Sequence, residues 1–369
     1  PNGAINYKTG LAEFYGGLER DVGSPPFYNY DRLQFEMFDA AAEGRLPSSG
    51  ILRALADRSI ASRGPDGRLT LKHARQPSAP TFIIQSWDDY LFPATQVLDV
   101  YSQITASKQI YLGRTGHPPG GHSYDGEEVY IGAQVLRWFD HHLRGIGGKD
   151  SKSVSSAPYP FGLRLYTGSV FPSSDTESLA LFLKPNGAAS LKKKGKEKLE
   201  RAGAIFDPQQ IRSSRLGSEI PSRSDMFSAR VETVAGMPPG LVYTYGPLDS
   251  EIEMMGSSEI TLYVSSVTSS DLDLIVRTYD VAPDGMETEV TVGAARVKDL
   301  GPGEVRRVVF RDFGDHWIFR QGHSIRIKVT NIDFPDFRPP GINDNQVSEF
   351  TLYYGKKTPS SVRLPVRRR

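Results

Sequence analysis

The hydrophobic pattern changes period once, near Gly145, and that change restricts the chain to folds with an α/β part followed by an all-β part. Before it, three blocks read PTFIIQSWDDYLFPATQ, KQIYLGRTGHPPGGH and EEVYIGAQVLRWFDHHLRG between Pro80 and Gly145. Thr81–Gln85 is a short apolar run of the kind found in buried parallel strands. Pro93 suits the first turn of a helix whose inner stripe is Val97, Leu98, Tyr101 and Ile104. Gln109–Gly113 reads as the next strand. Glu127–Leu143 reads as a helix with Glu127 and Glu128 in its first turn and Arg144-Gly145 at its end; Val129, Ala133, Leu136 and Phe139 are expected inside. Strand, helix, strand, helix in that order implies parallel strands joined by right-handed crossovers.

Upstream, residues 1–23 are Gly-rich with one short helix expected near Leu11–Leu18. Residues 29–62 read as two helices, one carrying Leu33, Met37, Phe38 and Ala41 up to Gly44, the other Ile51, Leu52, Leu55 and Ile60. Residues 63–79 are a polar, turn-rich loop. Downstream, Gly145-Ile-Gly-Gly-Lys-Asp-Ser-Lys is a linker by composition, and after it the period becomes two. Leu179-Leu181-Leu183, Ile260-Leu262-Val264, Leu272-Leu274-Val276 and Ile325-Ile327-Val329 alternate with other residues. Similar runs lie at 161–166, 241–245, 290–297, 305–310 and 348–354. About nine short strands broken by Gly, Pro and Asp turns argue for an antiparallel sandwich or jelly roll. KKKGKEKLER at 192–201 and the VRRR tail are read as solvated charge.

Bulk properties narrow the function classes. A chain of 369 residues is too long for one ordinary core, so two domains are expected. It has no cysteine, which excludes a disulfide framework, a cysteine nucleophile and thiolate metal sites. A net charge of +1 gives no reason to expect nucleic acid or an acidic membrane as a partner. No apolar run approaches the roughly 20 residues of a membrane-crossing helix, and no targeting segment is visible, so cytoplasmic and secreted locations both stay open. Two strands before Gly145 are fewer than the mean of about 5–6 per sheet. The rest of that sheet is therefore expected from polypeptide N-terminal to Pro1.

Chemistry concentrates at two strand ends. Asp89 follows the first strand and His117 the second, 28 residues on, a separation of one helix and one strand. Parallel strands put both loops on one sheet edge. There an acid can hold an imidazole in one tautomer and stabilise the imidazolium formed when the ring takes a proton. Asp88 competes for the acid role, and Asp89 could instead cap the helix ahead of Pro93. His122 is a second candidate base. His141 and His142 suit a helix C-terminus, but adjacent positions do not share a face and make no metal site. His73, His316 and His323 have no partner in sequence that makes them ligands. Trp87 and Tyr90 are candidates for lining a substrate pocket, with packing as the alternative, and Phe334 and Phe337 fit a core or a domain seam. No G-x-S-x-G is present. Gly121-His-Ser-Tyr-Asp, with Ser123, comes nearest, but it follows the histidine and has no strand before it. Ser48, Ser49, Ser59 and Ser62 fall at helix caps or on a helix. No metal or cofactor is indicated.

Three segments together resemble the X-Pro dipeptidyl-peptidase, cocaine esterase and α-amino-acid ester hydrolase family, the CocE/NonD-type serine hydrolases. Ile84-Gln-Ser-Trp-Asp-Asp-Tyr-Leu-Phe-Pro is similar to the acid-bearing loop, in which the triad Asp lies two positions after a Trp. Leu112-Gly-Arg-Thr-Gly-His is similar to the segment carrying the triad His, with Arg114 and Thr115 in place of the usual Pro-Trp. Leu241-Val-Tyr-Thr-Tyr-Gly-Pro-Leu, Tyr279-Asp-Val-Ala-Pro-Asp-Gly and Asn331-Ile-Asp-Phe-Pro are similar to the jelly roll.

The resemblance implies the C-terminal half of an α/β-hydrolase domain over residues 1–148, with a helical cap at about 24–75, and a jelly-roll, galactose-binding-like domain over 149–369. It implies Asp89 as triad acid and His117 as general base. The nucleophile and at least one oxyanion-hole donor would lie on an N-terminal half that acts as this chain's partner. The reaction implied is cleavage of an ester, amide or peptide bond through an acyl-enzyme, without a cofactor. X-Pro dipeptidyl-peptidase activity is a narrower alternative. A degenerate, non-catalytic hydrolase whose jelly roll binds a carbohydrate or a partner is the other, and homo-oligomerisation is left open.

Overall fold

The computed structural model describes residues 78–89, 93–116, 126–147, 153–160, 165–193, 198–212, 228–233, 238–268, 270–333 and 347–368. The helices expected at 11–18 and 29–62, and with them the cap, lie outside the described residues. So do Tyr90, His117, His122, Ser123, His73, Phe334 and Phe337.

The first unit is built from β1 (Thr81–Ser86), α1 (Ala94–Gln103), β2 (Lys108–Gly113), α2 (Glu127–Arg144), β3 (Val154–Ser156) and β4 (Tyr166–Gly168). The sheet order is β1-β2-β3-β4, with the first three strands parallel and β4 antiparallel to β3. Strand period sorts the side chains between two faces. On one face Ile83, Ile110, Leu112 and Val154 pack with Val97, Leu98 and Tyr101 of α1, the stripe expected from spacing. On the other, Phe82 meets Trp138 of α2 and Tyr111 meets Tyr130. β2 is covered on both sides, and Ile110, Tyr111 and Leu112 are fully buried. The sheet gains β3 and β4 from beyond the glycine-rich 145–152 segment, a direction the two-strand count from sequence did not include.

The face that α2 turns to the sheet differs from expectation. Glu127 and Gln134 are buried, whereas Val129, Leu136, Phe139 and Leu143 are exposed. Polar partners on the sheet explain the reversal: Gln109 donates to Gln134 at 3.4 Å, and the Tyr111 hydroxyl donates to Glu127 at 2.8 Å. The helix meets the sheet through hydrogen-bonded and aromatic side chains, and its apolar stripe looks outward.

The second unit holds fourteen strands in one hydrogen-bonded sheet. They are β5 (Glu177–Lys184), β6 (Ala188–Ser190), β7 (Lys198–Arg212), β8 (Ser228–Thr233), β9 (Leu241–Tyr245), β10 (Ile252–Gly256), β11 (Glu259–Ser265), β12 (Leu272–Val281), β13 (Glu287–Val297), β14 (Arg306–Arg311), β15 (Asp315–Phe319), β16 (Ser324–Thr330), β17 (Val347–Tyr354) and β18 (Ser361–Arg368). The main path runs β13-β12-β16-β9-β6-β5-β18-β11-β17-β7-β8, and all pairings but the short β6–β9 contact are antiparallel. Strands from both ends of the path, such as β13 and β7, feed one apolar cluster that includes Leu181, Leu274, Ile327 and Phe350. The sheet therefore folds over into two layers around one core.

One charge reading is corrected here and one is refined. Val366 and Arg367 of the tail are not a solvated run but belong to β18, where they pair with Met254 and Glu253 of β10, and Val362, Leu364 and Val366 lie in the core. Lys198–Arg201 opens β7 and pairs with β17, so it is strand and not loop, although Lys192, Lys193, Lys198 and Arg201 are exposed as a solvated run would be. β10 and β15 escaped the period-two reading because every residue of both is buried, so their sequences do not alternate. Among the described residues no helix is long and apolar enough to cross a membrane, and no three His, Asp or Glu side chains are grouped to hold a metal ion.

Candidate functional site

β1 and β2 run parallel and in register, with Ser86 opposite Gly113 at their C-terminal ends. The loops carrying Asp89 and leading to His117 therefore leave the same edge side by side. One buried hydroxyl joins them: Ser86 Oγ accepts from the backbone N–H of Asp88 at 3.2 Å and of Gly116 at 2.9 Å. The Trp87 N–H donates to the Gly113 carbonyl at 2.9 Å and continues the ladder one step past the strands.

Two glycines make the approach to His117 sterically workable. A Cβ on Gly113 would stand 2.1 Å from Glu127 Oε1, the oxygen that accepts from the Arg114 N–H at 2.7 Å. Gly116, next to His117, has a φ of 65°, a left-handed conformation that disfavours residues with a Cβ. The leucine-glycine-arginine-threonine-glycine run is thus a turn clamped from below by the first residue of α2.

Asp89 is partly buried, and its Oδ2 accepts from Gln85 Nε2 at 3.3 Å. It does not cap α1: the cap position is Pro93, without a side-chain cap bond. Asp88, its competitor for the acid role, is committed elsewhere, with Oδ1 2.8 Å from Arg114 Nη1. Trp87 is built into the core against Phe171, ring centroids 5.3 Å apart, and its indole N–H donates to Ser156 Oγ at 3.0 Å. His117 and Tyr90 lie outside the described residues.

Behind these loops lies a buried polar seam between the two units. Arg114 is 2 % exposed, and its guanidinium forks onto Asp315 of β15, Nη2 to Oδ1 at 2.6 Å and Nη1 to Oδ2 at 3.2 Å. It also donates to the His316 carbonyl. Burial works against the guanidinium charge, but Asp315 and Asp88 together hold its pKa above the ordinary value. For Asp315 burial dominates and raises the carboxyl, with Arg114 pulling the other way. Such a pair is held by geometry rather than by net charge energy.

A second relay runs beside it. Trp87 N–H donates to Ser156 Oγ, which lies 2.8 Å from His316 Nδ1, and His316 Nε2 lies 3.0 Å from Glu253 Oε1. Burial lowers the His316 pKa, against the pull of Glu253, and so favours the neutral ring. A single proton arrangement then satisfies the relay: Ser156 donates to Nδ1, and Nε2–H donates to Glu253. Ser156, His316 and Glu253 resemble a triad in composition only, because all three are sealed in the interior, at 0 %, 0 % and 2 % exposure. They are structural.

These seam residues were not found from sequence. The one local signal was the presence of charge or imidazole inside otherwise apolar strands, Ile-Glu-Met-Met in β10 and Asp-His-Trp-Ile-Phe in β15. A buried ionisable group in such a run needs a partner from elsewhere.

Residues 165–363, more than half of the chain, match the family described as the X-Pro dipeptidyl-peptidase C-terminal non-catalytic domain. A Mycobacterium bovis protein named as a candidate serine esterase is 29% identical over 152 residues, covering 34% of this chain and 24% of that one. The cocaine esterase of a Rhodococcus species is 23% identical over 266 residues, covering 63% of this chain and 45% of the relative. The chain spans less than half the length of these curated relatives. Among solved structures, a CocE/NonD family hydrolase from Staphylococcus aureus superposes with a TM-score of 0.59 at 16% identity, over 80% of this chain and 55% of that one. At that identity the likeness is one of fold.

Proposed function

Because the chain belongs to the family of the X-Pro dipeptidyl-peptidase C-terminal non-catalytic domain, among CocE/NonD-like hydrolases, we propose that it is the C-terminal portion of a serine hydrolase. In this reading residues 1–148, joined by β3 and β4, complete an α/β-hydrolase domain, and the remainder of 149–369 forms its jelly roll. Asp89 is the triad acid and His117 the general base. The serine, on a G-x-S-x-G turn, and at least one oxyanion-hole donor come from polypeptide N-terminal to Pro1. The observation that carries the reading is the in-register parallel pairing of β1 and β2. It brings the Asp89 loop and the backbone leading to His117 to one sheet edge, where Ser86 joins them.

The chemistry follows from that placement. His117 takes the serine proton as the oxygen attacks the substrate carbonyl, and Asp89 stabilises the imidazolium that results. The imidazolium passes the proton to the departing alcohol or amine, leaving an acyl-enzyme. Water then enters as the second nucleophile, deprotonated by the same ring, and the acid and free serine are released. Gln85 steadies the Asp89 carboxylate through its amide. Tyr90, on the acid loop, lines the acyl pocket, while Trp87 supports that loop from beneath. The substrate class is an ester or amide, with X-Pro peptides a narrower option.

The test is a fluorophosphonate probe applied to the protein in its serine-carrying form. Covalent labelling that His117→Ala reduces by several orders of magnitude, in line with loss of a triad base, supports the reading. Labelling that survives His117→Ala, or that never occurs, sinks it.

A further inference from the structure

We propose that Asp315, in the β-sandwich, is a positioning residue for hydrolysis, acting through Arg114 on the two loops that carry Asp89 and His117; this rests on the reading of those two residues given above. Arg114 joins all three parts. Its own backbone belongs to the base loop, three positions before His117, and is fixed by Glu127 Oε1 at 2.7 Å. Its Nη1 holds Asp88, the neighbour of Asp89, at 2.8 Å. Its fork onto Asp315 reaches 201 residues along the chain into β15.

The guanidinium has little room to choose another position. Its carbon lies 5.8 Å from the ring centre of Tyr159 and 5.9 Å from that of Trp317, and these two rings stack at 4.2 Å. Tyr159 itself is tied to β15, its N–H donating to the His316 carbonyl at 2.9 Å and its carbonyl accepting from the Ile318 N–H at 2.7 Å. The planar fork of arginine matches one carboxylate edge-on and still offers a donor to a second. Asp315 therefore sets where the guanidinium sits. The guanidinium in turn sets how far the acid loop stands from the base loop. A domain described as non-catalytic thereby enters the turnover rate, since displacing reacting groups by about 1 Å can cost on the order of a hundredfold.

The experiment uses the serine-carrying protein, with p-nitrophenyl acetate as substrate and a fluorophosphonate as active-site probe, from about pH 5 to 9, the range over which a histidine base titrates. Asp315→Asn is expected to lower kcat on the order of ten- to a hundredfold with KM little changed. The acid limb of the pH profile is expected to move to lower pH, because Arg114 keeps its charge on the base loop with one carboxylate fewer to balance it. Asp88→Asn, at an exposed side chain, is the second variant should Asp315→Asn fail to fold. It breaks only the link to the acid loop and should lower kcat without lowering the melting temperature. Arg114→Lys should recover only part of the activity that Arg114→Ala loses. If the folded variants keep the wild-type kcat and pH profile while only the melting temperature falls, Asp315 and Arg114 are structural and the proposal is overturned. A wild-type protein that the probe does not label, or that turns over unchanged with His117→Ala, fails earlier, at the hydrolase reading, and removes the proposal with it.

Discussion

The two units of this chain bury their apolar residues to different degrees. In the sandwich, strands from across the sheet close on one core, and Leu181, Leu274, Ile327 and Phe350 are essentially inaccessible. In the α/β unit, α2 leaves Val129 at 77 %, Leu136 at 68 % and Leu143 at 76 % exposure. Among the described residues β1 is paired on its β2 side only. Fold class alone does not explain the contrast, since α1 on the opposite face is well seated. The contrast separates a unit whose hydrophobic accounting closes within itself from one whose accounting does not.

Substitutions can break or sharpen that contrast. The largest effect is expected in the sandwich core: Leu181→Ala or Phe350→Ala should cost about 3–5 kcal/mol in denaturant unfolding. A loss under about 1 kcal/mol would mean the core is looser than its burial indicates. Asp315→Ala should approach the same size, about 3–5 kcal/mol, because it leaves the Arg114 charge buried without its fork. A near-neutral result would show water reaching the seam.

Asp312 gives an effect with a defined sign that depends on pH. Burial pushes its carboxyl up to about 7, against hydrogen bonds from the Ser258 and Gly314 N–H groups. Its folded pKa lies above the unfolded value, so the folded state holds the proton more tightly. Its contribution to stability is complete below about pH 4 and is lost as pH rises through about 7. Asp312→Asn should therefore match wild type only below about pH 4, and its advantage should grow as pH rises towards 7, reaching on the order of 4 kcal/mol at pH 8, about 1.4 kcal/mol for each unit between the two pKa values. A difference that does not grow with pH would refute this. The smallest effect is expected on the open face of α2: Leu136→Ala should change the stability of this chain by no more than about 0.5 kcal/mol. In a longer protein that covers the face, the same change should cost about 2 kcal/mol or more.

What could be read from the sequence follows from how local each cause is. α1 and the strands β5, β9 and β16 announce themselves because one face is more buried than the other, so the period is visible; β11, β12, β13 and β17 are largely buried on both faces, and their residue types carried the reading instead. The convergence of the Asp89 loop and the turn before His117 at one sheet edge was legible from the order strand, helix, strand. The orientation of α2 was not, because the partners of Glu127 and Gln134 are side chains of another strand, Tyr111 and Gln109. β18 hid behind its arginines and Pro365, although Val362, Leu364 and Val366 do alternate. The seam was invisible for a simpler reason. Arg114 and Asp315 are 201 residues apart, and nothing in either neighbourhood names the other.

The place of β18 has a consequence for biosynthesis. It joins β5, made some 180 residues earlier, to β11, and it also borders β10. Until Val366 has left the ribosome, both halves of the sandwich wait with open strand edges, the condition under which chains pair wrongly. Closure of this domain therefore waits for the last of its described strands in chain order, and stalling even a few residues before Val366 should leave a chain that chaperones still hold.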